Sequence, residues 1–201
     1  MLLAVAVAGC GDDDSDLPEF TGAEEDPAAS ASASPGGTPA VDPAGELPKE
    51  GKKLGDPKNA ITVGRTIAGD AEKKAVQLAY LAFWAERAKA LRLAKVDQAA
   101  LEKVAGGIAA ERVVFSVDEL AEKKRHTEGG STVNIQAVTV KGTKATLTDC
   151  FQDRSVDLDV KGKPVQVPNL GVIQFGAELT KAGSGWRVTD LRETKIKACR
   201  S

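Results

Sequence analysis

The chain has 201 residues with 27 basic and 29 acidic side chains, so its formal net charge is only −2. This total hides a strong split, because residues 11–50 contain eleven acids and one base, whereas the rest of the chain carries a net +8. The bases are scattered among acids without interleaved aromatic residues, so we expect no nucleic-acid partner. The sequence has no HExxH, paired CxxC or EF-hand spacing, and we therefore expect no metal and no cofactor.

The first ten residues form an apolar run that ends in Val7-Ala8-Gly9-Cys10. This ending resembles a bacterial lipobox, in which the peptide before the cysteine is removed and the cysteine becomes an acylated N-terminus. The run is too short to span a bilayer, which needs about 20 apolar residues. The pattern predicts a signal-peptide remnant over residues 1–9, lipid attachment at Cys10 and a position on the extracytoplasmic face of the cell membrane. The alternative is a buried hydrophobic N-terminus.

The stretch from residue 11 to about residue 58 is rich in Asp, Glu, Pro, Ala, Ser and Gly and holds almost no large apolar side chains. Such a composition cannot bury enough apolar surface to offset the entropy of ordering. We therefore predict a lipidated, acidic, disordered tether over residues 10–59. The remaining residues, 60–201, are enough for one domain with its own core.

A long amphipathic helix is predicted from residue 71 to about residue 95, with Asp70 as its N-cap. Tyr80 and Trp84 lie one helical turn apart in this helix. Arg87 belongs to a set of charged residues that we expect to be mostly exposed.

Two shorter helices are predicted next, over residues 97–105 and from about 109 to 124, separated by Gly106-Gly107. The only histidine, His126, falls at the predicted end of the third helix and just before the turn residues Gly129-Gly130. We therefore expect His126 to face solvent rather than a catalytic cavity.

Strand patterns dominate the rest of the chain. Alternating polar and apolar residues predict three hairpins, which pair 132–137 with 145–151, 156–160 with 165–167, and 171–180 with 186–193. Helices followed by a strand meander predict an α+β domain, in which a curved antiparallel sheet wraps around the long helix.

Cys150 and Cys199 remain once Cys10 is assigned to lipid attachment. In a compartment that permits disulfides, we expect the two to be bonded to each other. The alternative is a redox-active pair, but cysteines this far apart lack the short CxxC spacing that lowers a thiol pKa.

Several short motifs together resemble a known group of proteins. They are the lipobox and tether, Tyr80-Leu-Ala-Phe-Trp84, Thr148-Asp149-Cys150, Gly185-Trp186-Arg187-Val188 and the terminal Cys199. This combination is similar to small actinobacterial lipoproteins of uncharacterised function, whose folded part is a nuclear transport factor 2-like, or SnoaL-like, cystatin-like cone. The resemblance implies a cone-shaped cavity between the sheet and the long helix. It implies no activity, because that scaffold hosts isomerases, dehydratases, ligand binders and structural modules.

The strongest carboxylate candidate is Asp149, which shares strand parity with Leu147 and Phe151. An inward-facing Asp149 would have a raised pKa or a partner, whereas a bulge would turn it to water. Tyr80, Trp84 and Phe151 are candidates for lining a ligand cavity, or are simply core residues. We assign no catalytic residue; Asp149 and Tyr80 would supply acid and base roles if the domain were an enzyme.

The leading functional hypothesis is a membrane-anchored, extracytoplasmic lipoprotein whose domain is a non-enzymatic binding module. Its expected partners are membrane lipid through Cys10 and either a small ligand or an anionic envelope polymer. One alternative is a small cone-fold enzyme of the isomerase or dehydratase type. Another is an accessory module that docks a larger envelope protein through an exposed apolar sheet face.

Overall fold

The computed structural model describes residues 45–165, 171–183, 185–196, 198 and 199. The predicted signal-peptide remnant, Cys10 and most of the predicted tether lie outside these residues. Within the described ranges, no helix is both long enough and apolar enough to cross a membrane.

Three helices precede the main part of the sheet, as predicted: α1 (Ala71–Leu93), α2 (Gln98–Val104) and α3 (Gly107–Glu122). Asp70 caps α1, since its Oδ1 accepts a hydrogen bond of 2.9 Å from the Lys73 backbone N–H. Ala94 ends the helix in the left-handed conformation, with φ 45°. Gly106 precedes α3, and its N–H donates to the Val188 carbonyl at 2.9 Å, which joins the α2–α3 connection to the sheet.

The sheet contains the strands β1 (Lys53–Leu54), β2 (Asn59–Arg65), β3 (His126–Lys141), β4 (Lys144–Asp153), β5 (Val156–Leu158), β6 (Val172–Ala182) and β7 (Gly185–Ile196). Their order is β1-β2-β3-β4-β6-β7, and β5 pairs with the start of β3. β2 and β3 are parallel, so the prediction of a wholly antiparallel sheet is wrong for this pair. β1 and β2 were not predicted, and they place strand residues before residue 60.

The glycine pair at the start of β3 explains a second difference. Gly129 and Gly130 were predicted as a turn, but they lie inside the strand, where they pair with Asn59 and Ala60 of β2. A Cβ atom on Gly130 would lie 2.5 Å from the Ala60 carbonyl oxygen, and both glycines have positive φ angles, of 114° and 133°. Here the glycines permit close approach of two backbones.

The prediction that His126 ends the third helix is wrong. That helix ends at Glu122, and His126 begins β3.

Two of the three predicted hairpins are confirmed, with Gly142 and Gly183 in the left-handed region at the turns of β3–β4 and β6–β7. The middle hairpin is different. β5 pairs with residues 126–128 of β3. The predicted hairpin is present only as a short turn, with a bridge between Leu158 and Pro164 and backbone hydrogen bonds from Asp159 N–H to the Lys163 carbonyl at 2.9 Å and from Val165 N–H to the Asp157 carbonyl at 3.0 Å. Val167 lies outside the described residues.

The core lies between α1 and the inner face of the sheet, with α3 packed near β7. Strand bulges in β3 and β7 accompany the curvature of the sheet. On its outer face, Cys150 and Cys199 form the predicted disulfide, with 5.5 Å between their Cα atoms. The disulfide links β4 to the segment that follows β7, and β6 lies between these two strands in the sheet.

Candidate functional site

Trp84 lies at the centre of a closed group of rings, which we call the aromatic cluster: Tyr80, Trp84, Phe151 and Phe175. The Trp84 ring centroid is 4.3 Å from that of Phe151, 5.1 Å from that of Phe175 and 6.1 Å from that of Tyr80. The three residues predicted as candidates for lining a ligand cavity, Tyr80, Trp84 and Phe151, therefore lie together. All three are buried, so they are part of the hydrophobic core.

Asp149 lies beside this cluster and is fully buried, so of the two orientations left open by the sequence it has the inward one, on the face of Leu147 and Phe151. Its Oδ1 accepts a 3.3 Å hydrogen bond from the Phe175 backbone N–H. Three other buried polar atoms nearby make no hydrogen bond within the described residues: Asp149 Oδ2, the Tyr80 hydroxyl and Trp84 Nε1. Asp149 and Tyr80 do not reach hydrogen-bond geometry, yet each is close enough to shift the pKa of the other.

Burial raises the pKa of Asp149 to about 8, against a smaller lowering by the Phe175 N–H and by Tyr80. The carboxyl is therefore mostly protonated at neutral pH. Burial also raises the pKa of Tyr80 well above its usual value, and the neighbouring Asp149 raises it further. Both groups are neutral at the pH where proteins usually work, and neither lines the grooves described next.

The first groove, which we call the apolar groove, lies between α1, α3 and strands β6 and β7 and has a volume of about 560 Å³. Its walls include the Phe83, Trp84 and Phe175 rings. Phe115 of α3 also lines it, although 70% of that residue is exposed. A recess of this size with aromatic walls is typical of small-molecule sites, which measure about 300–1,000 Å³.

A second groove adjoins the first and has a volume of about 380 Å³. We call it the polar groove, because hydroxyl and charged side chains dominate its lining, among them Lys123, Arg125 and Thr127. Arg87 and Ser116 line both grooves, so the two recesses are neighbours at these residues.

Arg87 is a candidate functional residue that the sequence pattern did not single out. It was predicted to be exposed, but its guanidinium lies partly buried over the Trp84 ring, with 5.2 Å between Cζ and the ring centroid. Burial lowers its pKa, and the carboxylates of Asp153 and Glu193 oppose that effect. Arg87 makes no ion pair or hydrogen bond with any residue that the structure describes. The signal in the sequence was its spacing, since Tyr80, Trp84 and Arg87 follow one helix face at i, i+4 and i+7.

The two acids near Arg87 are placed differently. Asp153 Oδ1 accepts hydrogen bonds from the Ser131 hydroxyl at 3.1 Å, the Ser155 N–H at 3.0 Å and the Ser155 hydroxyl at 2.7 Å. Glu193 is exposed on β7. Neither carboxylate satisfies the five N–H donors of the guanidinium, which remain available to the grooves.

The other residues singled out in the sequence have structural roles. His126 Nε2 lies 3.4 Å from Glu128 Oε1, an oxygen that Arg92 also approaches at 3.0 Å. Trp186 is buried and donates its indole N–H to Glu72 at 3.2 Å. In the part of the chain that the structure describes, no three His, Cys, Asp or Glu side chains are grouped as a metal site.

The outer face of the sheet is polar where it is described. Thr146 and Thr148 of β4 lie on it, and Gln174 donates a 3.2 Å hydrogen bond to Gln136 across the strands. The large apolar side chains that are exposed lie elsewhere, on helices or in the loop after β5: Leu93, Ile108, Phe115 and Val160.

No protein-family model matches the sequence, and no curated protein matches it. The fold is similar to the crystal structure of the intermembrane space region of the chloroplast protein ARC6, with a TM-score of 0.51 and 16% sequence identity. The similarity covers 65% of this chain and 100% of that one. At this identity the likeness concerns the fold alone.

Proposed function

We propose that this protein is a lipid-anchored, extracytoplasmic binding protein, whose domain is a cone-type fold that binds a small anionic ligand at Arg87. The lipobox-like Val7–Cys10 segment supports the anchor. The curved sheet around α1 supports the cone-type fold.

The observation that carries the binding function is the state of Arg87. A guanidinium is always charged in proteins, and its planar set of five N–H donors matches the geometry of an anionic group. Arg87 faces two recesses with its donors free of protein partners in the described part of the chain. An anionic group on a ligand would accept from these donors through bidentate, charge-assisted hydrogen bonds.

The site can be tested with the two indole N–H signals in the NMR spectrum, because the chain has only two tryptophans. Trp84 lines the apolar groove and contacts Arg87, whereas Trp186 lies at Glu72, outside both grooves. We expect inorganic phosphate, added to the full chain with a Cys10→Ala substitution, to shift the Trp84 signal and not the Trp186 signal. The Trp186→Phe variant assigns the two signals.

Arg87→Gln should abolish the phosphate-induced shift, while Arg187→Gln, an exposed arginine on β7 outside both grooves, should retain it. Equal shifts in the two variants would show that phosphate acts through general charge and would overturn the proposed site.

The anchor has a separate test. In a bacterial host that processes lipoproteins, the wild-type chain should fractionate with membranes, and mass spectrometry should find acyl groups on Cys10. Cys10→Ala should release the protein to the soluble fraction. An unmodified cysteine in membrane-bound protein would refute lipid anchoring at this residue.

An enzyme that uses Asp149 and Tyr80 would require the aromatic cluster to open, because substrate must reach groups that neither groove touches. The Arg87 site needs no such rearrangement. The binding function is therefore the one that the geometry supports best.

A further inference from the structure

The apolar groove offers apolar surface beside the guanidinium of Arg87. Phe115 is exposed there and Phe175 is partly buried, whereas the deeper lining residues Trp84 and Val113 are buried. The neighbouring polar groove adds Lys123 and Arg125, and Arg87 lines both recesses.

The other cations of the apolar groove already have partners. Arg112 donates through Nη1 to the Leu191 carbonyl. Arg192 pairs with Glu178 and Asp190, at 3.2 and 3.1 Å. Of the three guanidinium groups in this groove, Arg87 is thus the one without an acceptor among the described residues.

Phe115 supplies an independent observation. It is 70% exposed at the edge of the apolar groove, where its ring adds apolar surface that no described part of the chain covers. Ile108 lies on the same helix and is 49% exposed, but it lines neither groove. The two residues make a matched pair, because only Phe115 could contact a ligand in the recess.

We propose that the ligand is a single-chain amphiphile with an anionic head, bound as a monomer, with its head on Arg87 and its apolar body along Phe175 and Phe115. This inference rests on the proposed anion site and names its ligand class. A bilayer surface fits less well, because an anionic bilayer attracts clusters of basic residues. In the two grooves the five basic residues are offset by four acids: Glu119, Asp153, Asp157 and Glu193.

Isothermal titration calorimetry on the full chain with Cys10→Ala tests the inference with dodecyl phosphate below its micelle concentration. Inorganic phosphate is the head-only probe, dodecyl maltoside is the neutral-head probe, and vesicles that contain anionic phospholipid represent a bilayer. We expect dodecyl phosphate to bind at least about tenfold more tightly than inorganic phosphate or dodecyl maltoside, because its anionic head and its alkyl chain both contribute to binding. Vesicles should bind more weakly than the monomer.

Phe115→Asn should weaken dodecyl phosphate binding about threefold or more through lost apolar contact and leave phosphate binding unchanged, whereas Ile108→Asn should change neither. Arg87→Gln should weaken the binding of both anionic probes, and thermal unfolding of each variant checks that the fold persists.

If phosphate binds at Arg87 and the dodecyl chain adds no affinity, the amphiphile proposal is overturned and the anion site remains. Absence of binding by both anionic probes would overturn both proposals, and tighter binding to vesicles than to the monomer would overturn the monomeric ligand.

Discussion

Arg87 and Asp149 are two ionisable groups near the same tryptophan, and neither has a full set of partners within the described residues. Arg87 borders two open grooves, with Asp153 and Glu193 near enough to favour its charge. Asp149 is enclosed beside the aromatic cluster, where burial favours its neutral form. The contrast has a chemical basis: a carboxyl can take up a proton when water is excluded, but a guanidinium cannot lose one. An enclosed acid is therefore compatible with a stable core, whereas Arg87 stays charged and borders the open grooves.

Removing the ring between these two groups should have the largest effect. Trp84→Ala deletes a fully buried side chain that contacts Phe151 and Phe175, so we expect the free energy of unfolding to fall by about 3–5 kcal/mol. Urea unfolding followed by circular dichroism measures this loss. Phe115→Ala removes an aromatic ring that is 70% exposed, and it should cost less than about 0.5 kcal/mol. Similar losses for both would mean that Trp84 does not support the core.

The pH dependence of stability tests whether Asp149 is held neutral. Its pKa is about 8 in the folded chain and about 3.9 in an unfolded one. Between these two pH values the folded state binds one more proton than the unfolded state. The contribution of Asp149 to the free energy of unfolding is therefore fully present below about pH 4 and is lost as pH rises to about 8. The expected slope is up to about 1.4 kcal/mol per pH unit. Asp149→Asn should remove this slope.

Asp118 provides the control for that measurement. It lies exposed on α3, so Asp118→Asn should preserve the fall in stability with rising pH. A slope that persists in Asp149→Asn would show that the buried carboxyl is ionised, and the contrast with Arg87 would disappear.

The sequence predicted those parts of the molecule that local patterns determine. The Asp70 cap, the three helices and the hairpins at Gly142 and Gly183 depend on neighbours in the chain. Strand parity put Asp149 on the same face as Leu147 and Phe151, but it did not decide whether a bulge would turn that carboxyl to water. The sequence pattern missed the parallel pairing of β2 with β3. That pairing joins segments far apart in sequence. The glycine pair that permits it also occurs commonly in turns, so the sequence pattern did not distinguish the two structures.

The candidate site was predicted only in part, for a related reason. Tyr80, Trp84 and Phe151 were correctly placed together, because helix spacing and strand parity both point inward. Arg87 was assigned to solvent by its charge, although its spacing puts it on the Trp84 face. Phe115 and Phe175 reach the groove from α3 and β6, and no local pattern shows that these elements converge.

Replacing Arg87 by an apolar residue of similar length should separate binding from stability. The fold lowers the pKa of Arg87, which means that it disfavours the charged form, so Arg87→Met should raise the free energy of unfolding by up to about 1 kcal/mol while it abolishes anion binding. Arg187→Met on the exposed face of β7 should stay within about 0.5 kcal/mol. A loss above about 1 kcal/mol for Arg87→Met would instead identify Arg87 as a structural cation.

Tyr80→Phe should have a small effect on stability and the most specific effect on titration. The Tyr80 hydroxyl makes no hydrogen bond within the described residues, so its removal should change the free energy of unfolding by less than about 1 kcal/mol, below the usual cost for a hydrogen-bonded buried hydroxyl. The hydroxyl lowers the pKa of Asp149, so its loss should raise that pKa further and extend the fall in stability to higher pH. Stability curves between pH 5 and pH 9 measure both effects. A large loss with an unchanged pH profile would mean that Tyr80 holds a structural partner and does not act on Asp149.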